Sequence, residues 1–157
     1  MERFIDLNGY EVALSFSKGT YEIEPKHVLV IVKDGERLLC TIHRKRGVEF
    51  PGGKVEDGET LQQAAIREVL EETNVAIEHL CELGHYIVYD EQPFCKVIFT
   101  ANVQKQFEQS FVHETKGRKW LTVEQLKKEE HLSFYMKDDG MKRILEVIQQ
   151  DGKWHNI

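Results

Sequence analysis

The chain has 157 residues and a net charge of −6, with 41% hydrophobic and 31% charged residues. This length and composition predict a single globular domain over residues 1–157 and exclude the fibrous and disordered classes of protein. The acidic balance argues against sequence-independent binding to a phosphate backbone, so no binding to duplex DNA is expected.

The apolar runs and the cysteines indicate in which cellular compartment the protein is expected. The longest apolar run, Val28–Val32, is far shorter than the roughly 20 residues that a membrane span requires. The N-terminal segment lacks the apolar core of a secretory signal, so no membrane partner is expected. Cys40, Cys81 and Cys95 are odd in number and lack zinc-site spacing, which predicts free thiols and a cytoplasmic location.

Segments rich in β-forming residues alternate with turn signals along the chain. Strands are predicted over Tyr10–Ser17, around Val28–Val32, over Leu83–Asp90 and over Phe94–Val103. Asp34 and Gly35 form a hairpin signal, so the strand before them is expected to pair with the segment that follows.

Three helices are predicted from caps and periodicity. Thr60 and Thr122 each stand three residues before a glutamine, which is the pattern of a capping box at a helix start. A third helix is predicted over Asp138–Gln150, where apolar residues recur at i, i+3, i+4 and i+7. Strands outnumber helices, which favours an α/β fold with helices packed on a mixed sheet. Strand order stays open.

The first predicted helix carries an unusual group of acids. Glu68, Glu71 and Glu72 stand at i, i+3 and i+4, so their side chains are expected to converge near the negative end of the helix dipole. Arg67 offsets part of the repulsion through Glu71, four residues on. One interpretation is a solvated acidic face, and the other is a site for a cation.

The segment in front of this helix favours the cation. Gly52 and Gly53 allow the backbone to approach a ligand closely, and Glu56 and Glu59 add carboxylates nearby. Oxygen ligands of this kind are those that Mg²⁺ and Mn²⁺ prefer. The residues by themselves therefore favour a hard divalent cation such as Mg²⁺ or Mn²⁺ over a solvated acidic face.

The stretch from Gly53 to Val75 resembles the signature box of the Nudix hydrolases. Gly53 is followed after five residues by Glu59 and after seven more by Arg67 and Glu68, and the aliphatic and acidic positions follow in order. Asn74 stands where the family has glycine, and asparagine also tolerates the left-handed conformation that ends many helices. The flanking segments "HRKRGVEFPGGKVE" and "FVHETKGRKWLTVEQL" are similar to those of MutT-like nucleoside triphosphate diphosphohydrolases, above all the Bacillus-type enzymes that act on oxidised purine nucleotides.

The resemblance implies a fold and a reaction. The fold is the Nudix α/β/α sandwich, with a mixed sheet packed between helices. The reaction is Mg²⁺-dependent hydrolysis of nucleoside triphosphates of the 8-oxo-dGTP type to a nucleoside monophosphate and pyrophosphate. Two alternatives stay open, namely removal of pyrophosphate from an RNA 5′ end and a catalytically silent nucleotide-binding module. The oligomeric state stays open too.

The resemblance also implies roles for single residues. Glu68, Glu71 and Glu72 are expected to hold the metal with the carbonyl of Gly53, and one of these glutamates to act on the water. The implied catalytic set further contains Arg67, which supports the acids, and Glu114, which reaches the metal or acts as the base. Glu59 and Gly52 are implied to support the loop. For Glu114 a plain exposed acid is the alternative.

Basic residues next to the box are candidates for the substrate's phosphates. Arg44, Lys45 and Arg46 precede the glycine pair and Lys54 follows it, and arginine grips phosphate with paired hydrogen bonds. For each of them, solvated surface is the alternative. His43 is interpreted as structural and Phe50 as a core residue.

Overall fold

The computed structural model of the chain describes residues 1–108 and 115–150. Strands and helices of these residues alternate as the sequence predicts for an α/β fold. The strands are β1 Glu2–Ile5, β2 Glu11–Ser15, β3 Pro25–Asp34, β4 Arg37–His43, β5 Gly47–Glu49, β6 Gly52–Lys54, β7 Val75–Tyr89, β8 Phe94–Gln106 and β9 Thr115–Leu121. The helices are α1 Leu61–Thr73, α2 Val123–Lys127 and α3 Asp139–Gln150, with a 3₁₀ turn over Phe134–Met136.

The strands form one mixed sheet. Their order is β1-β2-β7-β8-β3-β4-β5, with β6 also pairing β3 and β9 also pairing β4. The β3–β8 pair is parallel, and the other pairs of named strands are antiparallel. The hairpin predicted at Asp34 and Gly35 is present, with Asp34 opposite Arg37. The mixed sheet confirms the predicted fold class.

Alternate side chains of β3 enter two cores on opposite faces of the sheet. Val28, Val30 and Val32 pack with the apolar residues of α1. Leu29 and Ile31 pack instead with those of α2 and α3. Because successive side chains of a strand point to opposite faces, α1 covers one face and α2 and α3 cover the other. The predicted α/β/α sandwich is therefore confirmed.

Strand β7 is longer than the sequence predicts. The predicted strand begins at Leu83, whereas β7 begins at Val75, directly after α1. Its pairing with β8 contains register shifts, and His79 within it has a φ of 55°. These irregularities break the alternation of apolar and polar side chains, so the first half of β7 has no period-two signal. Strand β8 likewise extends past the predicted Val103 to Gln106.

Strands β1, β5, β6 and β9 are absent from the sequence prediction. β5 and β6 have three residues each, which is too short for a detectable alternation. β9 carries mostly basic and polar residues, and its pairing with β4 rather than its own composition makes it a strand.

The helix caps follow the sequence prediction. Thr60 and Thr122 each form a capping box with the glutamine three residues on. Asn74 ends α1 in the left-handed conformation (φ 56°, ψ 37°), as expected for the residue in place of glycine. In the described part of the chain, the helices are too short or too polar to cross a membrane.

Candidate active site

The acidic end of α1 lies against the glycine pair of β6. A Cβ added at Gly53 would lie 2.6 Å from Cδ and Oε1 of Glu68, and one added at Gly52 would collide with the carbonyl oxygen of Val28 in β3. Glycine is therefore required at both positions for different reasons. Gly52 lets β6 approach the sheet, and Gly53 lets the carboxylate of Glu68 approach β6.

Arg67 ties the acids of α1 to the preceding loop. Its Nε and Nη2 donate to the two carboxylate oxygens of Glu59 at 2.7 and 2.9 Å. Its Nη1 donates to Glu68 at 2.9 Å and to Glu71 at 3.2 Å, and Nη2 also donates to the carbonyl of Lys54 at 3.0 Å. One guanidinium therefore holds loop, strand and helix in a fixed relation, which is the supporting role that the resemblance implies for Arg67 and Glu59.

This network keeps Glu59 ionised. The hydrogen bonds from Arg67, followed by the one from the backbone N–H of Glu56 at 3.0 Å, lower the pKa of Glu59 to about 2. The same contacts, led by those to Glu59, raise the pKa of Arg67 above its ordinary value. The pair stays charged throughout the physiological pH range.

Glu72 has the most perturbed carboxylate of the site. Burial, followed by a hydrogen bond with Glu68 and by the charges of Glu68 and Glu49, raises the pKa of Glu72 well above its usual range. Carboxylates held together at low exposure favour a bound positive charge, because a cation relieves both repulsion and desolvation.

The oxygen atoms grouped at this site are chemically suited to bind a hard divalent metal ion. Carboxylate oxygens of Glu68, Glu71 and Glu72 and the carbonyl of Gly53 are oxygen ligands of the kind that Mg²⁺ and Mn²⁺ take. The side chain of Glu71 is 56% exposed and contacts Arg67. Within residues 1–108 and 115–150, no three His, Cys, Asp or Glu side chains are arranged to hold a metal ion. The three-glutamate ligand set accordingly stays a prediction.

Glu49 is a site residue that the sequence analysis missed. It lies at the end of β5, and its charge contributes to the raised pKa of Glu72. It accepts hydrogen bonds from Arg46 Nη2 and from Ser133 Oγ, each at 2.7 Å. It lies 23 positions before Glu72, and no local spacing relates the two. Its position directly before the buried Phe50 and the glycine pair was the one sequence feature that could have indicated Glu49 as a site residue.

The structure separates the predicted phosphate-binding residues into two groups. Lys54 follows Gly53 on β6, and its backbone carbonyl accepts a hydrogen bond from Arg67, but its pairing with His27 places its side chain on the face of the sheet opposite to α1. Arg44, Lys45 and Arg46 form the β4–β5 turn and line a cleft of about 450 Å³. The further residues of this cleft include Lys116, Lys119, Glu129 and His131, and none of its described lining residues is a glutamate of α1. We call this the basic cleft.

The remaining sequence expectations near the site concern three residues. His43 accepts hydrogen bonds at Nδ1 from the backbone N–H groups of Lys45 and Arg46 at 3.1 and 3.0 Å, in keeping with the structural role expected. Phe50 is 3% exposed, which confirms it as a core residue. Glu114 lies outside the described residues, so its role stays a prediction.

The sandwich and the glutamate-bearing helix docked on a glycine strand define the class of protein as an α/β/α sandwich with an acidic site at the end of one helix. The NUDIX domain model matches residues 24–139, so the chain belongs to the Nudix hydrolase family. Members of this family generally need divalent metal ions.

A protein and a crystal structure from Bacillus subtilis are similar over nearly the whole chain. A protein of strain 168 named "Putative 8-oxo-dGTP diphosphatase YtkD" is 38% identical over 155 residues, covering 97% of this chain and 98% of that protein. The crystal structure of the pyrophosphohydrolase BsRppH (E68A mutant) has a TM-score of 0.88 at 38% identity, covering 97% of this chain and 98% of that one. The NUDIX domain of Shewanella oneidensis NrtR, complexed with ADP ribose, shares the fold at 18% identity, with a TM-score of 0.62 and coverage of 83% and 90%.

Proposed function

We propose that the chain is a Mg²⁺-dependent nucleoside triphosphate diphosphohydrolase. Water attacks phosphorus in a phosphoanhydride bond, and the products are a nucleoside monophosphate and pyrophosphate. The observation that carries this proposal is the half-buried pair of Glu68 and Glu72 beside the backbone of Gly53, in a chain of the Nudix family. The name of the Bacillus subtilis relative supports an oxidised guanine nucleotide of the 8-oxo-dGTP type as substrate.

The residues have separate roles in this proposal. Glu68, Glu71, Glu72 and the carbonyl of Gly53 would hold Mg²⁺, for which Mn²⁺ would substitute. When bound, the ion supplies positive charge to the phosphoryl oxygens, where the negative charge of the transition state develops.

Other side chains orient these groups and the substrate. Arg67 fixes the carboxylates of Glu68 and Glu71, and Glu59 fixes Arg67 in turn. Because its guanidinium nitrogens already donate to Glu59 and to the glutamates of α1, we treat Arg67 as a positioning residue. Lys54 is suited to a phosphate as a point charge. Glu114 is retained as the candidate base or further ligand.

A Glu71→Gln variant tests the proposal. Glu71 is more than half exposed, so the substitution leaves the fold intact while it removes one negative charge from the site. Pyrophosphate release from a panel of nucleotides, with and without Mg²⁺, should fall by more than 100-fold, on the scale that loss of one electrostatic group costs an active site. Glu124→Gln on α2, 74% exposed, is the matched control and should keep full activity. Full activity in E71Q would refute the metal site, and no turnover by the wild type would favour the silent module.

The basic cleft favours a second candidate, removal of pyrophosphate from the 5′ end of RNA. Arg44, Lys45 and Lys116 line this cleft and are suited to the phosphates of the nucleotides that follow the first one. The name of the relative of known structure, a pyrophosphohydrolase, is consistent with it. Arg44→Ala combined with Lys116→Ala should lower turnover of triphosphorylated RNA and leave that of free nucleotides unchanged. Equal effects on both substrates would remove this candidate.

We assign the enzyme to the cytoplasm. Cys40 and Cys95 are buried free thiols and Cys81 is an exposed one. An exposed free thiol is suited to a reducing compartment. Mass spectrometry of thiols alkylated in intact cells would test this, since a disulfide at Cys81 would contradict the assignment.

A further inference from the structure

Side chains of the sheet bind the last carbonyl groups of α1. The final four carbonyl groups of an α-helix have no partner within the helix. In α1, Oγ1 of Thr41 on β4 donates to the carbonyl oxygen of Glu72 at 3.3 Å. Nη1 of Arg118 on β9 donates to the carbonyl oxygen of Thr73 at 3.1 Å. The backbone at the acidic end of α1 is therefore tied to two strands that pair with each other.

Arg118 joins the end of α1 to the segment that follows β8. Its Nη1 also donates to the carbonyl oxygen of Phe107 at 2.9 Å, and the backbone N–H of Phe107 donates to that of Asn74 at 2.9 Å. Its Nη2 donates to Glu108 at 2.7 Å, but this carboxylate is 88% exposed, so the ion pair contributes little. The side chain of Arg118 is only 14% exposed. Its contacts with the two carbonyl groups therefore fix the arginine in place.

Thr41 is held by a chain of hydroxyl groups. It is 2% exposed, and its Oγ1 lies 2.7 Å from Oγ1 of Thr115 on β9, which is 5% exposed. Each hydroxyl group has one hydrogen to donate. Because Thr41 donates to Glu72, Thr115 is the donor in the threonine pair. Oγ1 of Thr115 in turn accepts from the backbone N–H of Gly117 at 3.2 Å. One direction of donation therefore runs from β9 through Thr41 to the backbone of Glu72.

The charge of Arg118 also bears on the acids of α1. Three glutamates stand near the negative end of the helix dipole, and the last turn of α1 contains no basic residue. A cation bonded to the last carbonyl groups of a helix interacts favourably with this end of the dipole. Arg118 supplies that cation from a strand of the sheet. Arg67 binds the carboxylates themselves, whereas Arg118 binds the backbone that carries them.

The position of this backbone matters because the candidate metal ligands come from two elements. Glu72 lies on α1, whereas the carbonyl of Gly53 lies on β6. A metal site needs its ligands within about 0.5 Å of the productive geometry. We propose that Arg118 and Thr41 are positioning residues, which hold the last turn of α1 so that its carboxylates and the Gly53 carbonyl reach the same metal ion. The inference rests on the proposed function. Both residues escape the sequence analysis, because they stand 45 and 31 positions from the carbonyl groups that they bind.

An Arg118→Met variant tests this role, because methionine keeps an unbranched chain without the donors. The dissociation constant of Mn²⁺, measured by electron paramagnetic resonance, should rise about tenfold or more, and kcat should fall to a similar extent with little change in KM. Arg143→Met is the matched control, because Arg143 also ties a helix to a strand, through Glu2 at 2.8 Å. It should leave both values unchanged. Wild-type Mn²⁺ affinity in R118M, or an equal loss in R143M, overturns the proposal.

Two substitutions of Thr41 separate its hydroxyl group from its shape. Valine keeps the shape of threonine without the donor, and serine keeps the donor. In Thr41→Val the hydroxyl of Thr115 can turn to the carbonyl oxygen of Gly117, 3.1 Å away, so the loss is confined to the bond with Glu72. Mn²⁺ affinity should fall about threefold or more in T41V and stay close to that of the wild type in T41S. Equal affinities in T41V and T41S would remove Thr41 from the proposal.

Hydrogen exchange in the metal-free chain measures the same contacts without the metal. In R118M the amides of Glu71–Asn74 should exchange about tenfold faster or more, relative to the amide of Ala64 in the first turn of α1. Equal gains at both ends of α1 would show a general loss of stability and overturn the proposal. Failure of the proposed function is a different outcome. A wild-type chain that binds no Mn²⁺ overturns the metal site and with it the positioning role, whatever the exchange rates in R118M.

Discussion

Gly53→Ala provides a sharp test of how the acidic site is built. The added Cβ would lie 2.6 Å from two atoms of the Glu68 carboxylate, where ordinary contact begins near 3.4 Å, so this carboxylate has to retreat by about 0.8 Å (3.4 − 2.6). A misplacement of about 1 Å at a reacting group costs about 100-fold in rate. We therefore expect kcat to fall by about 100-fold. The carboxylate is the end of a flexible side chain, so the free energy of unfolding should fall by less than about 1 kcal/mol.

Gly52→Ala is the matched comparison, because its Cβ would meet backbone rather than a side chain. The obstacle is the backbone of β3 at Val28 and Leu29, which cannot move aside. The free energy of unfolding should fall by about 1–3 kcal/mol, typical of overpacking. Urea denaturation and pyrophosphate release would be measured on both variants. If G53A keeps the wild-type kcat, the close approach of Glu68 to β6 has no part in catalysis. If G53A loses as much stability as G52A, the carboxylate of Glu68 does not retreat freely from the added Cβ.

Two further predictions concern charge. In Arg67→Lys, the lysine cannot reproduce the paired hydrogen bonds to Glu59 together with those to Glu68. We expect kcat to fall about tenfold or more and the free energy of unfolding to fall by about 1–2 kcal/mol. Wild-type kinetics in R67K would show that a single positive charge suffices. Burial, followed by the charges of Lys96 and Lys54, lowers the pKa of His27 to about 4, below that in the unfolded chain. Between these two pKa values the unfolded chain binds more protons than the folded one. The free energy of unfolding should therefore fall as the pH drops from about 6.5 toward 4. Between pH 7 and 5 we expect a decrease of about 1 kcal/mol after allowance for solvent screening. His27→Gln should lack this part of the pH dependence, and identical profiles in denaturant melts would contradict the burial of His27.

The parts of the site that lie on one helix followed from the sequence. The capping box at Thr60, the left-handed Asn74 and the spacing of the glutamates depend on contacts between residues three to five positions apart. Such contacts are set by helix geometry whatever surrounds the helix. The predicted link of Arg67 with Glu71 is present for the same reason, at 3.2 Å.

The phosphate-binding candidates show the limit of proximity in sequence. Arg46 stands six residues before Gly52, yet it pairs with Glu49 and lies 5.4 Å from the ring of Tyr135. Its turn joins β4 to β5, and β4 pairs with β9, so the turn faces the basic cleft. Because a strand reversal lies between Arg46 and the glycine pair, the distance along the chain did not give the position of Arg46, and its role in phosphate binding stays a prediction.

By itself, then, the sequence determined the acidic helix, its caps, the glycines in front of it and the apolar run Val28–Val32 at the centre of β3. Only the tertiary structure decided that Glu49 joins Glu72 and that Lys54, His27 and Lys96 form one row. Local sequence patterns reflect interactions between residues a few positions apart, and such interactions form whether or not the chain is compact. The row depends on the parallel pairing of β3 with β8, and that register is chosen by which apolar faces the two cores can bury together.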